Sequence, residues 1–163
     1  MNRSIQFALA AALSAVALQG HAAADAKVRV QFAGDLANYA DLGEYADDRD
    51  DNVAALRAVF EGLGARLPAG YSLDVSVVDV NLAGELEWVR SASRRLRVMR
   101  DVGWPMIEMR YTLKSGDRVL REGQERVSDM GYLMSRPMAA DFQRLAYEER
   151  MLQGWLKGLL ASR

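Results

Sequence analysis

Five arginines crowd into eleven residues, Arg90, Arg94, Arg95, Arg97 and Arg100, with Trp88 and Trp104 on either side. Guanidinium forks take phosphate or carboxylate through two parallel hydrogen bonds, so this segment is the first candidate for a binding surface. Five like charges at this density exceed what solubility demands. The competing account is that they keep an exposed edge from aggregating and pair with nearby acids. Acidic side chains gather elsewhere, at Asp41, Glu44, Asp47, Asp48, Asp50 and Asp51. Carboxylate oxygens suit a hard cation, but a helix start just after them already accounts for Asp50 and Asp51, because its positive end favours carboxylates. No metal site is assigned there.

Other chemistries are missing from the inventory. His21 is the only histidine and there is no cysteine. If the chain is cut beyond His21, nucleophile systems that need imidazole or thiolate go, and so do histidine-ligated zinc and haem. Asp79-Val80-Asn81-Leu82-Ala83-Gly84 opens like a calcium loop, yet Ala83 stands at the fifth position and Arg90 at the twelfth, where a bidentate Glu is required. A turn at a strand end explains the same residues. No phosphate loop or nucleophile elbow is found, and no cofactor is implied. What remains for catalysis is carboxylates. A paired-carboxylate glycosidase depends on spacing in space, which a sequence does not display.

The expected cut lies after Ala24. Met1-Asn2-Arg3 supplies one positive charge, Ile5 to Leu18 is an apolar run, and Ala22 and Ala24 suit a signal peptidase pocket. The run is shorter than the roughly 20 residues of a spanning helix, so residues 1–24 read as a cleaved signal peptide and 25–163 as one domain. No later segment is apolar enough to span a bilayer. The whole chain carries a formal charge of −1, and losing Arg3 makes the remainder one unit more negative, which argues against a general nucleic-acid binder.

The elements that must position these side chains follow from periodicity. Val28, Val30 and Phe32 alternate with Arg29 and Gln31, a strand over Lys27 to Phe32. Asp35 to Asp51 reads as a loop. Val53, Leu56, Val59, Phe60, Leu63 and Leu67 recur at helical spacing from Asn52 until Pro68. Tyr71 to Leu82 alternates, then changes phase at Val78, which suggests a bulge. Residues 83–103 read as a long connection, with Leu96 and Val98 in a short strand. Met106 to Leu113 and Arg118 to Val127 flank a Ser115-Gly116-Asp117 turn as a hairpin. Pro137 to Leu160 carries Phe142, Leu145, Leu152, Trp155 and Leu159 as an amphipathic terminal helix. The expected fold is α+β: a small, mainly antiparallel sheet with two helices on one face, in the order β-α-β-β-β-α.

Longer stretches carry a resemblance. Val77 to Gly84, Leu96 to Asp101 before Trp104-Pro105, Gly123-Gln124-Glu125 with Asp129 and Tyr132, and Tyr147 to Leu152 with Trp155 resemble an exported bacterial family catalogued as domain of unknown function 3016. Where that pattern commonly has Glu-Lys, this chain has Glu149-Arg150, which keeps the charge pair. The resemblance implies a Gram-negative, periplasmic protein, and it singles out Asp79, Asp129, Tyr132, Glu148, Arg150 and Trp155 without assigning them a role. Glu148, Arg150 and Trp155 are spaced to fasten the terminal helix to the sheet. Taken together, the residues point to a non-catalytic periplasmic binding or protein-interaction domain. Its contact surface would be the Arg90 to Arg100 segment, and its partner an anionic envelope component or an acidic protein surface. The alternative is a carboxylate-dependent envelope hydrolase, either a glycosidase or a metal-assisted enzyme.

Overall fold

The computed structural model describes residues 27–134 and 143–162. The expected signal peptide and residues 137–142 of the expected terminal helix lie outside them. Strand β1 (Val28–Phe32) runs parallel to β2 (Tyr71–Asn81), and helix α1 (Ala46–Gly62) connects the two. Strands β5 (Met106–Ser115) and β6 (Arg118–Ser128) complete a four-stranded sheet in the order β1-β2-β5-β6, with every pairing after the first antiparallel. Between β2 and β5 a separate hairpin forms from β3 (Glu85–Val89) and β4 (Arg94–Val98). Helix α2 (Ala146–Ala161) ends the described chain.

Alternation dictates the layering. Val28, Val30, Leu73, Val75, Val77, Val80, Ile107, Met109, Tyr111 and Leu113 turn to one side of the sheet and are buried. Leu56 and Phe60 of α1 and Leu152, Leu156 and Leu159 of α2 meet them in one core. Burying a side chain of this size contributes about 1.5–3 kcal/mol, so this single cluster is the main source of stability. The other face is polar, with Arg29, Asp74 and Lys114 bonded across three strands at 2.9 and 2.7 Å. Val78 is the extra residue where the β2–β5 register shifts. It returns Val80 to the core and re-aims Asp79.

Three expectations need correction. Asp47 to Asp51 lie within α1, which begins six residues before the expected Asn52. Asp47 and Asp48 occupy its first turn, where the macrodipole favours carboxylates. Arg49 donates to the Gly43 and Glu44 carbonyls and buried Asn52 donates to Leu42 O at 2.8 Å, which pins the entry. Residues 83–103 are a hairpin and not a long connection, because two strands with few core contacts leave little hydrophobic periodicity to read. At the C-terminal end, residues 143–145 are not helical, and Leu145 sits at φ 63° immediately before α2.

Gly34 and Gly84 share the same left-handed φ of 79°, yet only Gly84 is crowded. A methyl group on Gly84 would meet Val98 O at 2.6 Å, whereas one on Gly34 would meet nothing within 4 Å. Gly34→Ala should therefore lose about 1 kcal/mol of unfolding free energy from backbone conformation alone. Gly84→Ala should lose roughly 2 kcal/mol beyond that through overlap. Urea unfolding of the two variants checks this, and equal losses would contradict the close approach.

Candidate functional site

The residues singled out above converge at one end of the sheet, around the point where β2 gives way to the hairpin. Asp79 accepts from Ala40 N at 2.7 Å and Val80 N at 2.9 Å, which ties the acidic loop to β2. Asn81 donates to Trp104 O at 2.9 Å. Both side chains of the calcium-like motif are thus engaged by main chain. Gly84 N–H donates to Gly103 O at 2.7 Å, and a side chain on Gly103 would meet the Gly84 main chain at 2.9 Å.

Glu148 reaches into this junction from the first turn of α2. It is 2% exposed and accepts from Ala83 N at 2.7 Å. Leu145, at the helix N-cap, offers no side-chain acceptor, and the Glu148 carboxyl also takes its own main-chain N–H. Burial pushes its pKa above the ordinary glutamate range, against the lowering effect of those hydrogen bonds and of Arg97. Beside it, Tyr132 is buried edge-to-face on Tyr147 at 4.9 Å. The Tyr132 hydroxyl accepts from Arg100 N at 3.0 Å and donates to the Arg100 carbonyl. Arg150 donates to Asp129 and to Tyr132 O. Trp155 Nε1 donates to Glu125 Oε2 at 2.8 Å, Tyr111 donates to Glu125 Oε1 at 2.9 Å, and the two rings meet edge-to-face at 5.4 Å.

The structure separates the five arginines. Arg97 makes a two-pronged bond to Asp41 at 2.7 and 2.9 Å and a third to Gly84 O at 3.0 Å. Arg100 forks onto Glu87 at 2.7 and 2.9 Å, which holds the Glu87 carboxyl below its usual range. Arg95 lies 3.6 Å from Glu44. Arg90 and Arg94, at the hairpin tip, are exposed, and among the described residues no hydrogen bond or ion pair engages their guanidiniums. Trp88, opposite Arg95 in the hairpin register, is 64% exposed. The acidic segment and the arginine segment therefore meet through Asp41 and Glu44. The remaining acids, Asp47 to Asp51, fan around α1 at 100° per residue. Among the described residues no three Asp or Glu side chains gather to hold a metal ion.

Glu87 has no place in the sequence analysis, Tyr111 appears there only as a strand residue, and Glu125 stands in a quoted motif without a role. Glu87 was hidden with the unread strand β3. Glu125 lies opposite Met109 in the sheet, and its place on the core side became legible only with the β5–β6 register.

A family model described as "Protein of unknown function (DUF3016)" matches residues 26–158. The chain belongs to this family. No curated protein and no solved structure matches it. The DUF3016 match spans every element from β1 to most of α2, and so includes both sides of each bond described above. No helix among the described residues is long and apolar enough to cross a membrane.

The buried carboxyl gives this DUF3016 domain a pH dependence of definite sign. Below the ordinary glutamate pKa, folded and unfolded chains both hold the Glu148 proton. As pH rises, the unfolded chain releases it first, so stability falls until the folded protein ionises as well. Glu148→Gln retains an acceptor for Ala83 N–H and cannot ionise. Above about pH 5 the variant should lose less stability with rising pH than the parent. Urea unfolding across a pH series reads this directly, and parallel curves for the two proteins would refute it.

Proposed function

We propose that this chain is an exported, non-catalytic interaction domain that presents the β3–β4 hairpin to an anionic partner in the periplasm. The leader-like residues 1–24 support export. The observation that carries the reading is the division of labour among the arginines. Arg95, Arg97 and Arg100 are spent on Glu44, Asp41 and Glu87 at the base and flank of the hairpin. Trp88, Arg90 and Arg94 are left outward at its far end. An exposed tryptophan at the same end of the hairpin as two cations offers both an apolar contact and charge recognition, and tryptophan and arginine are enriched at binding hot spots.

The carboxylates that gather around the end of β2 and along α2 are engaged within the fold. Asp41 is held by Arg97, Asp79 by two main-chain donors, Glu125 by Tyr111 and Trp155, Asp129 by Arg150, and Glu148 by Ala83. These bonds position backbone and helix, which favours the interaction reading over the enzymatic one.

Binding is measured on immobilised polyglutamate and on phosphatidylglycerol vesicles, with phosphatidylcholine vesicles as control. The parent should bind at least one anionic probe with an affinity that falls as salt rises. Arg90→Ala/Arg94→Ala should weaken it roughly tenfold at low salt and flatten the salt dependence. Trp88→Ala should weaken binding and leave the salt slope intact. A parent that ignores both anionic probes, or a double variant that binds as the parent does, would overturn the assignment.

A further inference from the structure

The two edges of the four-stranded sheet are finished differently. β1 is five residues long, and Arg57 closes it by donating to Val30 O at 2.7 Å while lying over the Phe32 ring. β6 is eleven residues long, and among the described residues no strand pairs with its outer side. A long edge of this kind presents a row of N–H and C=O groups to another strand. β6 carries no proline, and along Arg121-Glu122-Gly123-Gln124-Glu125-Arg126 two acidic residues stand between two basic ones. A cleft of about 630 Å³ lies beside it, bounded by residues 125–129 and by Met151, Gly154 and Trp155 of α2. Gly154 and Gly158, one turn apart on α2, both face open space.

We propose that β6 is a self-association surface. Two copies pair their β6 strands antiparallel about a two-fold axis at Gln124, which continues the sheet from one copy into the next. Charge complementarity selects this occupant. Glu122, Gln124 and Arg126 all lie on the open face of the sheet, opposite Thr112, Arg110 and Glu108 of β5. With Gln124 facing its own counterpart, Glu122 of each copy lies opposite Arg126 of the other, and the symmetry makes the pair twice. Glu122 has no partner among the described residues. Arg126 bonds Glu108 at 2.8 Å with its side chain still 66% exposed.

Neighbouring registers are worse. Centring on Glu122 or on Glu125 would set glutamate against glutamate, which opposes pairing. Centring on Gly123 would pair Arg121 with Glu125, but Glu125 is already held by Tyr111 and Trp155 and Arg121 by the Ser162 carbonyl. Strand spacing then decides what the helices do. α2 lies over β5 and β6, as its Trp155 contacts show. The α2 helices of the two copies would run about 10 Å apart across the axis, a separation at which a flank bearing Gly154 lets them touch.

Sedimentation velocity over a concentration series, on the protein as isolated from the expressing cell, tests the proposal. The parent should form dimers. Glu122→Arg, on an exposed side chain, should weaken the dimer roughly tenfold by setting arginine against arginine, with an unchanged melting temperature showing an intact fold. The swap Glu122→Arg/Arg126→Glu, made together with Glu108→Arg so that position 126 keeps an opposite charge across from it within each copy, should restore association. A parent that stays monomeric to several hundred micromolar overturns the proposal, as it does if the edge instead serves a foreign peptide. A dimer indifferent to Glu122→Arg, or a swap that fails to rescue it, overturns it equally.

Discussion

Three peptide units, Leu82 to Gly84, carry more of this structure than their size suggests. Ala83 N–H is capped by the buried Glu148 carboxyl, Gly84 N–H bonds Gly103 O, and Gly84 O receives Arg97. Each bond joins this short stretch to a different part of the chain: the terminal helix, the segment entering β5, and the hairpin. A two-stranded hairpin is marginal in isolation, so the geometry of β3 and β4 depends on being clamped at its base. A carboxyl buried this deeply carries a desolvation cost, visible in the raised Glu148 pKa. Hydrogen bonds to main-chain N–H groups offset part of it. The one from Glu148's own main-chain N–H lies in the first turn of α2, where Leu145 offers no side-chain acceptor.

The terminal helix is held by polar bonds as much as by its apolar face. Glu148, Arg150 and Trp155 leave α2 in different directions and end on Ala83, Asp129 and Glu125. Hydrophobic contact by itself would let a helix slide or rotate over a flat sheet, because that attraction has no direction. Three directional bonds, with the Tyr111–Trp155 and Tyr132–Tyr147 ring pairs between them, fix its register.

Electrostatics follows a similar economy. The chain concentrates acids in one segment and arginines in another, then folds so that Asp41 meets Arg97 and Glu44 approaches Arg95. Ion pairing along the hairpin leaves a smaller, sharper positive end than five arginines in a row would suggest. Arg90 and Arg94 differ from Arg97 in nothing but position on a hairpin whose turn carries them away from the body.

Local pattern was legible wherever burial imposed it. The two-residue alternation of Val28 to Phe32 and of Met106 to Leu113, the phase change at Val78, and the turn at Gly116 all announce strands, because one face of each is buried and the other is not. The α+β layering and the role of Glu148, Arg150 and Trp155 as fastenings follow from such patterns and from their spacing on a helix. Of the hairpin, a short strand at Leu96 and Val98 was legible and matches β4, but β3 and the pairing were not, because these residues are exposed or half-buried and no burial imposes a period. The start of α1 lies earlier than periodicity shows because its first turn carries acids in place of apolar residues, and its anchors, Arg49 and Asn52, act on carbonyls that only the folded loop brings near. Which arginines are free could be decided only in three dimensions, since Arg97 and Arg100 find their carboxylates 56 and 13 residues away. By itself the sequence determined which chemical groups exist and which faces must be buried. The tertiary structure alone decided which of those groups are spent on one another, because hydrogen bonds and ion pairs form between neighbours in space.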